Sequence, residues 1–165
     1  MSEIEIRPLR PDERAAWQPL WKGYLDFYNV TVPQETYDTT WKRLLDPNEP
    51  MWLLGATVDG KLLGIVHYLY HRTCWTPGDY CYLQDLFVSA EARGKGLGRA
   101  LMRDVMQRAF AEGARTALLE VRRSNGPAIA LYEGLGFAVE GVRKDYYEQP
   151  REDALLLRCV RLAEA

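Results

Sequence analysis

The sequence predicts an α/β (α+β) fold, with a central mixed, mostly antiparallel sheet of about seven strands flanked by about four helices. Two observations lead to this fold class. The first half of the chain contains short apolar runs separated by tight turns, which is typical of antiparallel strands. The second half alternates strand-sized apolar runs with amphipathic segments of helical period, which indicates strand–helix–strand units.

The first half is predicted to contain a strand, two helices and a hairpin. Ile4 and Ile6 alternate with charged residues, as in a short strand with one covered face. An aromatic-rich helix is expected to open at Pro11 and to bend at Pro19, and its aromatic side chains are expected in the core. The remaining predicted elements are a helix over 33–45 and strands over 51–58 and 61–71, joined by the turn dipeptide Asp59-Gly60.

The second half is predicted to contain four strands and two helices in alternating order. A mostly buried strand over 80–88 leads into a glycine-rich turn, and an amphipathic helix then runs from Leu97 to the region of Gly113. A strand over 117–121, a helix over 126–135 and strands over 137–144 and 154–162 complete the chain.

Composition and charge exclude several classes of protein. The 165 residues suffice for one domain, 1–165, and 47% hydrophobic with 27% charged residues is ordinary for a globular chain. A formal net charge of -2 argues against general nucleic-acid binding, and no apolar run approaches the roughly 18 residues of a membrane helix. The N-terminus lacks a secretory pattern, so we expect a cytoplasmic protein with neither nucleic acid nor membrane as partner.

Cysteine and histidine are too sparse to indicate a disulfide framework or a metal site. Cys74, Cys81 and Cys159 are widely spaced and odd in number, so we expect buried, reduced thiols. His67 and His71 are four residues apart in a predicted strand, but two histidines do not form a metal site without a third ligand. We therefore expect no metal, and histidines that belong to the core or to a cleft.

The sharpest local signal is the glycine-rich segment 93–98, Arg-Gly-Lys-Gly-Leu-Gly, between a predicted buried strand and an amphipathic helix. Glycines let the backbone turn tightly, and successive N–H groups at a helix N-terminus bind anions such as a pyrophosphate. The spacing does not match a Walker A motif, and Arg99 stands where a dinucleotide-binding fingerprint needs its third glycine. A plain glycine-rich turn is the alternative interpretation.

This segment resembles the acetyl-coenzyme A motif, R-x-x-G-x-G/A, of the GNAT superfamily of N-acetyltransferases. About thirty residues further on, the pattern Asn125-x-x-Ala128-x-x-Leu131-Tyr132-x-x-x-Gly136-Phe137 resembles the later helix of the same superfamily. The resemblance extends over most of the chain, from 4 to 162. It implies a GNAT fold and acetyl-CoA as cosubstrate.

The resemblance also implies which residues bind the coenzyme. The backbone of the turn is expected to hold the pyrophosphate, the preceding strand to pair with the pantetheine arm, and the later helix to face the thioester. The cofactor-binding residues implied in this way are Leu86, Phe87, Val88, Arg93, Gly94, Lys95, Gly96, Leu97, Gly98, Arg99, Asn125, Ala128 and Tyr132.

Acetyl transfer to an amine needs a proton acceptor and a proton donor. At pH 7 freeing a lysine ε-amine of its proton costs about 4.6 kcal/mol and freeing an α-amine about 1.4 kcal/mol, so a base matters more for lysine. Glu120, a carboxylate in an otherwise apolar strand, must face a cleft or find a partner, and is one candidate base. Asp85 is the other, with a partnered structural aspartate as the alternative interpretation, and Tyr132 is the candidate acid for the departing thiolate.

The acceptor is less well specified than the donor. Segment 118–137 resembles the bacterial ribosomal-protein alanine N-acetyltransferases, which implies Glu120 as base, Tyr132 as acid, Tyr146 and Tyr147 as substrate-side residues, and a protein N-terminal α-amine as acceptor. The front half, including the tryptophan-rich helix and segment 84–88, resembles histone-acetyltransferase-like and small-amine members instead. Either a mosaic chain or ordinary divergence explains this mixture.

Several alternatives stay open on the sequence alone. A polyamine, an aminoglycoside-like amine or a lysine side chain is the alternative acceptor, and a noncatalytic acyl-CoA sensor is the alternative of another class. Retention of both Glu120 and Tyr132 argues against a sensor. Exposed aromatic residues near Trp75 or Tyr146 are candidates for a homodimer contact.

Overall fold

The computed structural model describes residues 3–162 and contains, within them, seven β-strands and four α-helices. None of these helices has both the length and the apolar character needed to cross a bilayer. The elements are β1 (Ile4–Pro8), α1 (Arg14–Phe27), α2 (Gln34–Leu45), β2 (Met51–Val58), β3 (Lys61–His71), β4 (Tyr80–Val88), α3 (Leu97–Ala111), β5 (Thr116–Arg122), α4 (Gly126–Gly134), β6 (Ala138–Glu148) and β7 (Arg151–Cys159).

The seven strands form one mixed sheet in the order β1-β2-β3-β4-β5-β7-β6. The pairs β1–β2, β2–β3, β5–β7 and β6–β7 are antiparallel, whereas β4 and β5 are parallel. A parallel pair needs a crossover, and α3 supplies it between β4 and β5. The predicted fold class, a mostly antiparallel mixed sheet with helices, is confirmed.

Contacts within the chain define two compact units. The first comprises residues up to Leu69 together with Asp85–Asp104, and the second comprises Tyr70–Gln84 together with the residues from Val105 onward. The single domain expected from chain length stays a prediction.

The core of the first unit is built from the aromatic faces of α1 and α2. Trp17 is completely buried, with the ring centroids of Trp21 and Trp41 5.5 and 5.0 Å away. Burying such a ring removes about 150–250 Å² from water, which contributes about 4–6 kcal/mol before the entropy of ordering is subtracted. The expectation that these aromatics belong to the core is confirmed.

The side chains of strand β5 alternate between the two faces of the sheet in the second unit. Ala117, Leu119 and Val121 are buried on one face. Because side chains alternate along a strand, Glu120 and Arg122, which follow Leu119 and Val121, lie on the other face. A carboxylate and a guanidinium therefore share that face, two residues apart.

Three details differ from the sequence-based expectations. Strand β7 begins at Arg151 and ends at Cys159, three residues earlier than predicted at each end, because β6 continues to Glu148, which pairs with Arg151. Helix α1 begins at Arg14, after a 3-10 turn that starts at the predicted Pro11. The predicted burial is correct for Cys81 and Cys159 but wrong for Cys74, which is exposed.

Glu13, the last residue of the 3-10 turn, connects this turn to β1. Its carboxylate accepts two hydrogen bonds from the guanidinium of Arg7, at 2.8 and 2.9 Å, and a third from the backbone N–H of Arg10, at 2.8 Å. The hydrogen bonds from Arg7 lower the pKa of Glu13 from 4.5 to about 2 despite its partial burial. These contacts hold β1 against the start of α1.

Replacing Glu13 is expected to destabilise the protein more at neutral pH than at low pH. A depressed carboxyl pKa adds stability that is complete above the unfolded pKa and is lost as pH falls from about 4.5 towards 2. After allowance for solvent screening, Glu13→Gln should lower the free energy of unfolding by about 1 kcal/mol at pH 7. Urea titrations at pH 7 and pH 3, with the exposed Glu5→Gln as control, measure this. A deficit of Glu13→Gln that is equal at both pH values would contradict the assignment.

Candidate active site

The glycine-rich turn lies in the first unit, between β4 and α3. Gly94 and Gly96 have φ angles of 79° and 85°, in the left-handed region that favours glycine. A Cβ built on either would meet no atom within 4 Å, so the backbone borders open space. The first N–H groups of α3, which begins at Leu97, have no carbonyl partner within the helix. This turn therefore fits an anionic group such as a pyrophosphate.

The arginine of the motif anchors the turn to the end of β4. The Arg93 side chain is exposed, its Nε donates a hydrogen bond to the carbonyl oxygen of Val88 at 3.2 Å, and its guanidinium lies 5.5 Å from the centroid of Phe87. Phe87 in turn packs on α1 at Gly23, where a Cβ would come within 2.7 Å of the ring. The predicted pantetheine-binding strand and the turn are thus fixed to each other within one unit.

Asp85, one of the two candidate bases, is buried in a hydrogen-bonded cluster. Its Oδ2 lies 2.8 Å from Nδ1 of His67 and accepts a hydrogen bond from Nε1 of Trp21 at 3.3 Å. Trp17 donates its own indole N–H to Nε2 of His67 at 3.0 Å. Since Nε2 accepts, the proton of a neutral His67 resides on Nδ1 and points at Asp85.

These contacts explain how the polar side chains of Asp85 and His67 can be buried in the core. Both ring nitrogens of His67 are engaged, and the Asp85 carboxylate is satisfied by donors from α1 and β3. His67 is buried as expected for a core histidine, whereas His71 is exposed. A proton-transfer role for Asp85 stays a prediction.

Glu120, the other candidate base, lies in the second unit with two polar partners. Its Oε2 accepts a hydrogen bond of 2.5 Å from the hydroxyl of Tyr82, and its Oε1 lies 3.8 Å from Nε of Arg143. Tyr82 is placed there by the parallel register of β4 and β5, in which it pairs with Leu118 on the same face. The Glu120 side chain is 14% exposed, so the carboxylate is oriented by its partners yet reachable from solvent.

The second motif, which begins at Asn125 and ends at Phe137, includes the N-cap and the residues of α4. The Asn125 side chain accepts a hydrogen bond from the N–H of Ala128 at 3.3 Å and so caps the helix. Tyr132 is 9% exposed, and its ring meets Phe137 edge-on at 5.9 Å. Capping gives Asn125 a structural role, and coenzyme contacts of Asn125, Ala128 and Tyr132 stay predictions.

The predicted substrate-side tyrosines lie near the β6–β7 turn. The rings of Tyr146 and Tyr147 are 5.0 Å apart, and the buried Arg122 guanidinium lies 4.3 Å from the centroid of Tyr147. Arg122 also donates to the carbonyl of Pro150 at 3.0 Å and to Glu152 at 3.2 Å. Hydrogen bonding from Ser124 and from Arg122 lowers the pKa of the Glu152 carboxyl. The hairpin is thereby held to the end of β5.

The sequence reasoning missed three residues around Glu120 and the hairpin: Tyr82, Arg122 and Arg143. The period-2 alternation of β5 could have placed Arg122 on the face of Glu120, but nothing local pairs Glu120 with Tyr82, 38 positions earlier, or with Arg143. Of the two candidate bases, Asp85 lies in the first unit and Glu120 in the second, and each has its own partners.

Residues 17–137 match the acetyltransferase (GNAT) family, and the chain belongs to that family. The family takes acetyl-CoA as its acetyl donor, and the chain is an acetyl-CoA-dependent N-acetyltransferase. The predicted family and class of activity are confirmed.

Two named relatives illustrate the range of the similarity. The D-amino-acid N-acetyltransferase HPA3 of Saccharomyces cerevisiae is 33% identical over 141 residues, which cover 84% of this chain and 88% of the relative. The ribosomal protein bS18 alanine N-acetyltransferase of Escherichia coli K12 is 41% identical over 81 residues, 48% of this chain and 55% of the relative. The match to the yeast relative extends over both halves of the chain.

Solved structures give the same fold. The ribosomal-protein-S18-alanine N-acetyltransferase of Escherichia coli has a TM-score of 0.74 at 25% identity, covering 98% of this chain and 96% of that one. A GCN5-related N-acetyltransferase from Kribbella flavida has a TM-score of 0.80 at 24% identity, covering 94% and 96%. The GNAT fold implied by the glycine-rich motif is therefore confirmed.

Removing the indole N–H that meets His67 is expected to destabilise the first unit. Trp17→Phe leaves a buried aromatic ring but strips the partner from Nε2 of His67, which should lower the free energy of unfolding by about 1–3 kcal/mol beyond the loss of ring area. Trp41→Phe, which truncates a neighbouring ring whose centroid lies 5.0 Å from that of Trp17, is the control. Urea unfolding followed by circular dichroism measures both. Equal losses in the two variants would show that the hydrogen bond contributes nothing.

Proposed function

We propose that this enzyme acetylates an α-amine, either at a polypeptide N-terminus or on an amino acid, with Glu120 as general base and Tyr132 as general acid. The observation that carries the proposal is the partly exposed Glu120 carboxylate, oriented by Tyr82 and faced by Arg143. The names of the two relatives support it, because a ribosomal protein alanine and a D-amino acid both present an α-amine.

Glu120 is suited to take a proton from an incoming ammonium group. One oxygen, Oε2, is occupied by the Tyr82 hydroxyl, while Oε1 has Arg143 at 3.8 Å, beyond hydrogen-bond distance. The Arg143 guanidinium balances the carboxylate charge without covering it. An α-amine needs only about 1.4 kcal/mol to lose its proton at pH 7, so a carboxylate or a water bound to it suffices.

The donor side of the proposal uses the turn in the first unit. The backbone N–H groups of 94–99 would hold the pyrophosphate, and Leu86–Val88 would pair with the pantetheine arm. The open space at Gly94 and Gly96 supports this placement. Asn125 and Ala128 would complete the coenzyme contacts at the start of α4. No metal is required by this arrangement.

The proposed proton transfers balance. Acetyl-CoA supplies an activated thioester, whose C–S bond breaks as the amine nitrogen forms the new C–N bond. Glu120 takes the first proton from the ammonium group and releases it to solvent. Tyr132 donates its hydroxyl proton to the departing sulfur and recovers a proton from the attacking nitrogen, which carries an excess proton once the new C–N bond has formed. The products are the N-acetylated acceptor, the coenzyme thiol and one released proton.

The acceptor side is assigned to the exposed face beside Glu120. Tyr146, 47% exposed, and Tyr147, stacked on Arg122, lie on the same hairpin as Arg143 and are proposed to border the acceptor. A lysine side chain or a polyamine is disfavoured, because its amine costs about 3 kcal/mol more to deprotonate at pH 7 than an α-amine.

Neutralising Glu120 is expected to abolish most of the activity. Glu120→Gln keeps the size of the side chain and removes the proton acceptor, so kcat/KM should fall about 100- to 10,000-fold. Thiol release measured with α-amine peptides, free amino acids, N-blocked lysine peptides and polyamines tests both the base and the acceptor class. The control is Glu140→Gln, which alters an exposed glutamate paired with Arg158. Turnover of polyamines alone, unaffected in Glu120→Gln, would overturn the proposal.

Substitution of a glycine in the turn should weaken binding of the coenzyme. Gly96→Ala places a Cβ at a φ of 85°, which strains the turn and enters the space assigned to the pyrophosphate. The dissociation constant for acetyl-CoA, measured by calorimetry, should rise at least about tenfold. Gly60→Ala creates the same backbone strain, at a φ of 79°, in the β2–β3 turn. If both variants bind acetyl-CoA equally well, the turn is not the pyrophosphate site.

A further inference from the structure

Arg143 presents an accessible guanidinium directly beside the proposed base. Its side chain is 56% exposed, its Nε lies 3.8 Å from Oε1 of Glu120, and its guanidinium lies 5.9 Å from the centroid of Tyr146. Over the part of the chain that the structure describes, residues 3–162, no acceptor takes a hydrogen bond from this guanidinium. The fork of donors that suits a carboxylate is therefore available.

The register of the sheet explains why Arg143 reaches Glu120. Arg143 pairs with Ala154 of β7, and Ala154 pairs with Arg122 of β5, so these residues share one face. Ala154 has only a methyl group, and Gly141, two residues before Arg143, has no side chain. The arginine can thus lie across β7 towards Glu120 on β5.

We propose that Arg143 binds the α-carboxylate of the acceptor and makes the enzyme selective for free amino acids over peptide N-termini. This inference rests on the proposed function, in which Glu120 receives the α-amine. An amino acid carries its ammonium and carboxylate groups on the same carbon atom. Glu120 and Arg143 offer the opposite charges side by side, which matches that zwitterion group for group.

A peptide N-terminus lacks the charge that this arrangement recognises. It presents a neutral amide carbonyl where the free amino acid has its carboxylate, so the hydrogen bonds from Arg143 no longer join opposite charges. Without Arg143, the acceptor carboxylate would face the like charge of Glu120. Arg143 therefore favours the free amino acid as acceptor. It also offsets the repulsion between the acceptor carboxylate and Glu120. The acceptor carboxylate is bound and undergoes no bond change.

A simpler interpretation makes Arg143 only a counter-ion of Glu120. In that case its removal would slow every α-amine acceptor by the same factor. If Arg143 binds the acceptor carboxylate, its removal would slow free amino acids more than their amides. The ratio of kcat/KM for an amino acid to that for its amide would then change. This ratio separates the two roles.

The test compares alanine with alaninamide, each as the D and the L form, by thiol release with acetyl-CoA. The wild-type enzyme should prefer alanine of at least one configuration over its amide by about 10- to 100-fold in kcat/KM. Arg143→Gln should abolish or reverse this preference, and Arg143→Lys should keep part of it because the charge remains. Comparing ratios between variants cancels the intrinsic difference in basicity of the two amines.

The matched control is Arg123→Gln. Arg123 is also 56% exposed, and its Nη1 lies 3.6 Å from a carboxylate oxygen of Asp153. It should leave the acid-to-amide ratio unchanged. A wild-type enzyme without preference for the acid, a preference that survives in Arg143→Gln, or an equal loss in Arg123→Gln would each overturn the inference. Efficient turnover of amides and peptides in those cases leaves the proposed function intact, whereas no turnover of any α-amine overturns both.

Discussion

The first unit depends on the solvation of one buried carboxylate. Asp85 is 9% exposed among aromatic rings, where an ionised group without donors would cost several kcal/mol. His67 and Trp21 supply those donors, and Trp17 fixes the imidazole from its other side. The cluster joins α1 to β3 and β4 through side chains. Because Asp85 directly precedes the segment that leads into the glycine-rich turn, the same contacts set the position from which that turn departs.

The second unit contains two ion pairs on one face of the sheet, and one pair is held more tightly than the other. Arg122 is buried and engages Tyr147, the hairpin backbone and Glu152 at once, so it has little capacity left for a ligand. Glu120, two residues earlier, keeps a partly exposed carboxylate with a looser guanidinium neighbour. The tight pair holds the hairpin, and the loose pair contains the carboxylate that we propose as the base. Two residues on one strand thus differ in how tightly their partners hold them: Arg122 has a structural role, and Glu120 stays accessible for its proposed role.

The sequence predicted the elements and the glycine-rich turn because those signals are local. Alternation in β5 and the helical spacing of the tryptophans report burial directly, and Asp59-Gly60 forms the expected turn. The partners of Glu120 and Asp85 were not predictable, since Trp21 is 64 positions from Asp85 and Tyr82 is 38 from Glu120. The start of β7 was misplaced for a similar reason: its charged first residues are satisfied by Arg122, Arg123 and the N–H groups of Ser124 and Asp145, which only the folded chain brings near.

The three cysteines differ in a way that matters for chemical labelling. Cys81 is fully buried, and burial raises the pKa of its thiol to about 12. Cys159, the last residue of β7, is also buried, whereas Cys74 is exposed in the β3–β4 connection. Since thiolates are the species that react with maleimides and disulfide reagents, modification of the folded protein is directed to Cys74. A fluorophore or nitroxide can therefore be attached at one position, beside the exposed Trp75, without any substitution. Cys74 also reacts with the disulfide dyes that are used to detect the released coenzyme thiol. The enzyme itself therefore contributes a background signal of one thiol equivalent per chain in such assays.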